Sequence, residues 1–284
     1  MKKSVPEAGI EPALPYGKQI LSLSCLPIPP LGHWTRCILI TALLFCSCVK
    51  GKQNTAEGVD YQQLQQAQKL WMQGLDGPFI EIIDSQRVGK EIFFAVAAKA
   101  FAERGRLEWS IEDLDRSQQY ALQCLAEDHH FRILLRNEQG LLTLKAVQAL
   151  DMNNPSLVEC AKWLTVSWSL RLHHTQLYSA KRDIELLNAL AKWLDTIPQL
   201  ASDIWVDYVH VLTEVLKPAP NWIWIREQFD IIEEMDTLLP FERLLLEQKI
   251  EPDRLCTSDI TQFSNLSEGQ LSRWDDAQHL CYKP

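Results

Sequence analysis

One stretch limits the folds open to this chain more than any other, because its apolar residues surround most of a helix. Residues 154–168 read NPSLVECAKWLTVSW. Asn154 can accept a hydrogen bond from an N–H group of the first turn, and Pro155 suits the first helical position, where its missing N–H group costs nothing. Apolar residues recur at spacings of three and four, and further ones widen that face. The pattern predicts a central helix that other helices enclose.

The rest of the chain shows the same helical periodicity and no convincing strand alternation. Further helices are predicted over residues 60–73, 77–83, 89–105, 110–125, 129–150, 183–197, 204–216, 222–235, 241–249 and 267–280. Ser110 and Ser202 are expected as N-caps, and Gly140 as a break in the long segment 129–150. The turns between these helices are short, which favours antiparallel neighbours. The predicted fold class is all-α, with stacked antiparallel helical hairpins.

A short motif recurs once and supports this stacking. Residues 160–164 read CAKWL, and residues 190–194 read LAKWL. Their separation is close to the period of helical-hairpin repeats, which is about 34 residues. Two copies favour stacked hairpins but do not define a strict repeat.

The overall charge argues against one class of partner. The chain of 284 residues carries a formal net charge of −9, and its basic residues form no cluster. Proteins that bind nucleic acid neutralise phosphates with grouped Lys and Arg side chains. We therefore expect no nucleic-acid partner.

The cysteines show no metal-binding spacing. Cys124 and Cys160 fall inside predicted amphipathic helices, where we expect them to be small core residues. Cys256 and Cys281 flank the C-terminal segment. Whether these two form a disulfide in an oxidising compartment is left open.

The N-terminal region predicts export. The apolar run at residues 37–45 follows Arg36 and is too short to span a bilayer, which needs about 20 residues. A basic flank, a short apolar core and small residues are typical of a signal peptide, although such a run can also be a short buried helix. Ser47 directly precedes Cys48, as in a bacterial lipoprotein signal, in which this Cys is lipidated and becomes the mature N-terminus. A lipid on Cys48 would anchor the chain without spanning the membrane.

These features divide the chain into four parts. Residues 1–47 are the signal and leader region, and its prolines and glutamates before Leu31 fit no signal peptide, so we expect translation to start near that residue. Residues 48–58 are the lipidated tether, residues 59–251 the helical domain, and residues 252–284 a C-terminal tail with a short helix.

Motifs for catalysis are missing from the sequence. It contains no phosphate-binding loop, nucleophile elbow or zinc-protease helix. Asp203, Asp207, His210 and Glu214 align on one stripe of a helix and could hold a metal ion, but the solvated side of an ordinary amphipathic helix has the same pattern. We therefore expect no catalytic residue, no metal site and no cofactor, and a protein that is not an enzyme.

Four tryptophans are the best candidates for binding residues. Trp163 and Trp168 lie on different faces of the central helix, and Trp222 and Trp224 follow a turn with two prolines. If the hairpins curve, these rings could line an apolar groove or pore. The alternative is packing in the core, where aromatic side chains are often found.

The chain resembles the T-component family associated with TRAP transporters, whose members are periplasmic lipoproteins with a tetratricopeptide-like (TPR-like) helical fold. The resemblance rests on the lipoprotein-like start, on YALQCL at residues 120–125, and on AKWLTVSW at residues 161–168. It implies a non-enzymatic accessory protein that binds the periplasmic substrate-binding protein of the transporter, as a trimer with a hydrophobic pore. The implied role is uptake of small organic acids or apolar ligands.

The same resemblance implies a location and leaves alternatives. The protein would lie on the periplasmic side of a bacterial membrane, and Val49 and Lys50 after Cys48 favour the outer membrane. One alternative is a helical-repeat lipoprotein that acts in envelope assembly or maintenance without a small ligand. Another is a metal-dependent enzyme that uses the stripe at residues 203–214.

Overall fold

The computed structural model describes residues 60–138, 141–175, 181–201, 203–232, 239–247, 256–263 and 266–279. Within these ranges the regular structure is entirely helical, which confirms the all-α class. The α-helices are α1 (Tyr61–Met72), α2 (Asp76–Ser85), α3 (Lys90–Leu107), α4 (Ile111–Leu125), α5 (His129–Asn137), α6 (Leu144–Gln148), α7 (Pro155–His174), α8 (Lys181–Leu194), α9 (Ile204–Val215), α10 (Trp222–Ile232), α11 (Leu239–Glu247) and α12 (Glu268–His279). The predicted signal region, the tether and the lipidated Cys48 lie outside the described residues.

The N-caps of two helices are those that the sequence predicts. The Asn154 side chain accepts a hydrogen bond from the Ser156 N–H group at 3.0 Å, and Pro155 opens α7. Ser110 accepts one from the Asp113 N–H group at 3.2 Å and begins α4. Each side-chain oxygen satisfies a backbone donor that the first helical turn leaves without a partner.

The cap of α9 differs from the prediction. The structure places Asp203 at the N-cap, where its Oδ1 accepts a hydrogen bond from the Trp205 N–H group at 2.9 Å. The predicted cap, Ser202, lies outside the described residues. Ser and Asp are comparable N-cap residues, so the sequence pattern alone does not decide between neighbours.

The predicted long helix over residues 129–150 is two helices. α5 ends at Asn137 and α6 begins at Leu144. Thr143 caps α6 by accepting a hydrogen bond from the Ala146 N–H group at 3.3 Å. The predicted break at Gly140 lies outside the described residues.

The helix α7 lies at the centre of the fold, as its sequence predicts. It is buried along most of its length and packs against α3, α4, α8 and α9. The neighbouring pairs α3–α4, α8–α9 and α9–α10 also pack together. Buried apolar side chains from α1 to α10 form one continuous core, which Leu246 of α11 joins.

The cysteines of α4 and α7 are joined by a bond that the sequence does not predict. Cys124 and Cys160 are buried in the core as expected, and they also form a disulfide, with their Cα atoms 6.2 Å apart. Helical periodicity places each cysteine on the buried face of its own helix. It does not say which residues of two helices face each other, and a disulfide requires that closeness.

The last helices also contain a second, smaller apolar cluster. Phe241, Leu244 and Leu245 of α11 pack with Trp274 and Ala277 of α12. We call residues 239–247, 256–263 and 266–279 the C-terminal cap. Cys256 in this cap is disulfide-bonded. Cys281, the partner that the sequence analysis left open, lies outside the described residues.

Candidate functional site

The tryptophans of the central helix are both buried. Trp163 donates a hydrogen bond from its ring N–H group to Glu159 Oε2 at 2.9 Å, and its ring meets the edge of Trp205 at 5.2 Å between centroids. Trp168 is buried too, and its ring N–H group has no hydrogen-bond partner among the described residues. Neither side chain offers a broad apolar surface to solvent.

The tryptophans of α10 lie elsewhere. Trp222 and Trp224 are partly buried against the main core. Within the described residues, no ring contact joins two of the four predicted tryptophans. The structure therefore does not gather them into one aromatic groove, and a role for each in binding stays a prediction.

The polar stripe of α9 is engaged in ordinary contacts. His210 Nε2 lies 2.8 Å from Asp195 Oδ2, and Glu214 accepts a hydrogen bond from the Asn221 N–H group at 3.0 Å. Asp203 caps its helix and also binds Lys162. In the part of the chain that the structure describes, no three His, Cys, Asp or Glu side chains are grouped so as to hold a metal ion.

A different set of side chains comes together where α3, α7 and α9 contact one another in succession. We call this surface the inner face. Its members are Lys99, Glu103 and Arg106 of α3, Glu159, Lys162 and Trp163 of α7, and Asp203, Trp205 and Tyr208 of α9. Three separate helices supply this site, so no pattern within a single helix predicts it. A signal was present in α3, where Lys99, Glu103 and Arg106 follow one another at spacings of three and four and so share one side of the helix.

One part of the inner face is open to solvent. Lys99 Nζ lies 3.8 Å from Glu103 Oε1, and 36% of the Glu103 side chain is exposed. Burial raises the pKa of this carboxyl, although Lys99, Arg106 and Lys162 lower it. Protein atoms thus desolvate this carboxyl while solvent still reaches it. We call the half-buried pair of Lys99 and Glu103 the Glu103 recess.

A fixed positive charge lies beside the recess. Lys162 Nζ lies 2.8 Å from Asp203 Oδ2 and 3.0 Å from Glu159 Oε1, and 5.1 Å from the centroid of the Trp163 ring. Only 6% of the Lys162 side chain is exposed. Although burial lowers the pKa of Lys162, the two carboxylates raise it, and the result is a raised pKa. The ammonium group is therefore held charged and in one position.

The other part of the inner face is covered. Arg106 donates two hydrogen bonds to Glu242 of α11, from Nε to Oε1 and from Nη2 to Oε2, both at 2.7 Å. Tyr208 donates a third to Glu242 Oε2 at 2.8 Å. The Arg106 guanidinium lies 5.0 Å from the ring centroid of Trp205 and 5.2 Å from that of Tyr208. We call Arg106, Trp205 and Tyr208 the carboxylate clamp.

The two parts together suit recognition of a charged surface. Arg and aromatic side chains in fixed positions dominate the binding energy of many protein interfaces. The paired donors of an Arg side chain match a carboxylate in geometry as well as in charge. The fold and site thus define an all-α protein with a charged, aromatic inner face.

Comparison with known proteins adds no family to this description. No protein-family model, curated protein or solved structure matches the chain. Among the described residues, no helix combines the length and the apolar character needed to cross a membrane.

Proposed function

We propose that this protein is a non-enzymatic accessory protein that binds a partner protein through its inner face. The observation that carries the proposal is the Glu103 recess, where charged groups stay open to solvent beside the buried Trp163. Lys162 is fixed by two carboxylates and contributes a charge of defined position. A surface built in this way favours specific recognition, because its groups lose little conformational freedom on binding.

The proposal includes a TPR-like arrangement of stacked hairpins. The helices α3, α7 and α9 contact one another in succession, while α4 packs between α3 and α7, and α8 packs against both α7 and α9. In helical-hairpin solenoids one helix of each hairpin lines a shared binding surface. This pattern supports the assignment of α3, α7 and α9 as the binding side.

The proposal also places the protein outside the cytoplasm. The disulfide between Cys124 and Cys160 supports an oxidising compartment, because disulfides are rare in the bacterial cytosol. A lipid on Cys48 would hold the protein at the periplasmic side of a membrane, with the outer membrane favoured.

The proposed partner is the periplasmic substrate-binding protein of a TRAP-type transporter, with a homotrimer as the proposed assembly. Sequence resemblance to the T-component family supports this choice. The resemblance also implies small organic acids or apolar molecules as the cargo. The alternative is a lipoprotein of envelope assembly or maintenance.

Crosslinking from the recess tests the proposal. A photo-crosslinking amino acid would replace Lys99 in the full chain, in cells that make the protein. A matched variant would carry it in place of Lys181 on α8, whose side chain is 87% exposed. We expect a product with a periplasmic substrate-binding protein from position 99 alone, identified by mass spectrometry.

Other results would change the conclusion in distinct ways. Products with envelope-assembly proteins from position 99 alone would favour the alternative function. Equal products from both positions, or none from position 99, would contradict binding through the inner face.

A further inference from the structure

We infer that the carboxylate clamp is a docking site for an acidic helix of a partner protein, and that the C-terminal cap occupies this site within the same chain. The inference rests on the proposed function, because the clamp is the covered part of the inner face. The chemistry of the partner segment is thereby specified. The cap and the partner helix compete for the clamp, and this competition regulates binding.

The occupant already in place shows what the clamp recognises. Glu242 lies on a helix, beside Phe241, and three donors of the clamp converge on its carboxylate. Both the Arg106 and the Glu242 side chains are at most 4% exposed. A partner that replaces α11 must therefore present a carboxylate from a helix, next to an apolar or aromatic side chain.

The ion pair between Arg106 and Glu242 holds the cap in place but contributes little net stability. Removing Arg106 and Glu242 from water costs free energy that their mutual attraction largely offsets. The pair therefore contributes more to the geometric selectivity of the clamp than to the stability of the closed cap. An incoming carboxylate that makes the same three hydrogen bonds would exchange with Glu242 at small net cost.

The contact between the cap and the helical hairpins also contains buried polar groups. Both ring nitrogens of His174, at the end of α7, are shielded from solvent and make no hydrogen bond within the part of the chain that the structure describes. Burial lowers the pKa of His174, and His173, Arg273 and Arg106 lower it further, so the ring is neutral. Gln270 of α12 is buried, and its Nε2 has no partner in the described ranges either. A buried polar group without a hydrogen bond costs free energy when the contact is closed.

Trp109 links these groups and holds a strained backbone. Its φ is +55°, and it directly follows the last turn of α3, where Ser110 N–H bonds to Gly105 O at 2.9 Å. Glycine usually fills this position, because a left-handed conformation is unfavourable for other residues. The Trp109 ring stacks on His174 at 3.8 Å and packs against the apolar cluster of the cap. This residue with an unfavourable φ therefore lies in the contact between the end of α3 and the cap.

The packing of the cap agrees with a local opening. Its cluster is separate from the main core except at Leu246, and among the described helices α10 is the one that packs against α11 over several residues, with ion pairs from Arg226 to Glu247 and from Arg243 to Asp230. A unit with few such contacts opens at lower free energy than the core. Opening would uncover Arg106, Trp205 and Tyr208 together, while α3, α7 and α9 keep their packing.

One glycine offers a way to open the cap without touching the clamp. A Cβ atom on Gly269 of α12 would lie 1.9 Å from the Glu108 backbone oxygen, so Gly269→Ala forces α12 away from the end of α3. Gly77→Ala in α2 is the matched control, because no atom lies within 4 Å of its Cβ position. Phe241 and Trp274 share one cluster, so displacement of α12 also weakens the hold on α11.

Peptide binding to purified full chain tests the inference. The probe is a fluorescent peptide with the sequence of residues 239–247, LPFERLLLE, stapled as a helix because short peptides are not helical in water. We expect the G269A protein to bind it at least about tenfold more tightly than the wild type or the G77A protein. The same peptide with E242Q should lose about tenfold or more, and Tyr208→Phe in the G269A protein should weaken binding several-fold.

Two results would overturn the inference. One is equal affinity of the peptide for wild-type and G269A protein, and the other is equal affinity of the Glu242 and E242Q peptides for the G269A protein.

Hydrogen exchange on the wild-type protein tests whether the cap opens separately, even if the G269A protein does not fold. We expect backbone amides of residues 239–247 and 268–279 to exchange at least about tenfold faster than those of α7. Equal protection would contradict a cap that opens separately. Both measurements use the isolated chain, so their failure leaves the crosslinking test of the proposed function standing, and failure of crosslinking leaves these results unchanged.

Discussion

Glu103 combines a desolvated environment with access to solvent. Three cationic side chains lower its pKa, yet burial outweighs them and the pKa is raised. A carboxylate whose charged form is destabilised by the fold is typical of a functional site. There a partner can supply the stabilisation of the charge that water does not. At the residue scale, the inner face is therefore not optimised for the stability of the unbound protein.

The pH dependence of stability should reveal this environment. Because the folded-state pKa of Glu103 is raised above its ordinary value of 4.5, the folded state retains the proton to a higher pH than the unfolded state does. Stability from this group is thus present at low pH and is lost as pH rises through the folded-state pKa. We expect Glu103→Gln to have a higher Tm than the wild type at neutral pH, with the difference disappearing below the ordinary pKa.

Thermal unfolding between about pH 4 and 8 measures this difference. Glu185→Gln on α8 is the control, because 68% of its side chain is exposed, and it should change Tm little. A wild-type protein that is more stable than Glu103→Gln at neutral pH would contradict the assignment of burial as the dominant effect.

Lys162 gives a second prediction at the same scale. Lys162→Met keeps the apolar stem but leaves Glu159 and Asp203 without their shared cation. We expect a loss of about 1–3 kcal/mol in the free energy of unfolding, measured by urea denaturation. Lys181→Met, at an exposed ion pair with Glu185, should lose less than about 1 kcal/mol. If the two variants lose the same amount, Lys162 is not held as the structure shows.

Local sequence patterns predict some elements of this fold and miss others. Asn154 and Pro155 predict the start of α7, and the apolar residues around that helix predict its central position. Thr143 was missed as the cap of α6, because the periodicity of residues 129–150 continues across the break. The pairing of Cys124 with Cys160 was missed for another reason: it depends on the register between α4 and α7, which no single helix contains.

The disulfide between these elements should contribute measurable stability. It closes a loop of 36 residues between α4 and α7, and loops of this size correspond to about 3–4 kcal/mol in the chain-entropy description. We expect the double variant Cys124→Ala with Cys160→Ala to lose about 2–4 kcal/mol in the free energy of unfolding.

Urea unfolding with and without reductant tests this prediction. Reductant should destabilise the wild type and should affect the double variant less. An equal effect of reductant on the two proteins would show that Cys124 and Cys160 are not joined in solution.

At the scale of the whole molecule, the inner face depends on contacts between distant parts of the chain. Arg106 and Glu242 are 136 residues apart, and Gly269 of α12 lies against Glu108 at the end of α3. Sequence periodicity gives each of these helices but not their mutual positions. For this reason, of the four predicted tryptophans only Trp163 belongs to the inner face as defined above. The charged residues of α3 were not predicted as part of a site.

A double-mutant cycle on Arg106 and Glu242 tests this closure of the chain. Each single change to Met removes the buried group of opposite charge that the other side chain binds when the cap is closed, so we expect a loss of up to about 3–5 kcal/mol. Changing both to Met removes the two charges together and should lose clearly less than the sum of the single losses. The control cycle uses Arg116 and Glu112, an exposed pair on α4 whose coupling should be only about 0.3–0.5 kcal/mol.

The size of the single losses separates two behaviours of the cap. If the cap opens independently, Glu242→Met releases it, Arg106 becomes solvated, and the loss is limited to the free energy of cap opening. Urea unfolding, monitored by tryptophan fluorescence, should then show a small early transition before the main one. This transition is visible because Trp109 and Trp274 lie at the cap. Additive losses in the Arg106–Glu242 cycle would mean that the clamp and α11 are not joined in solution.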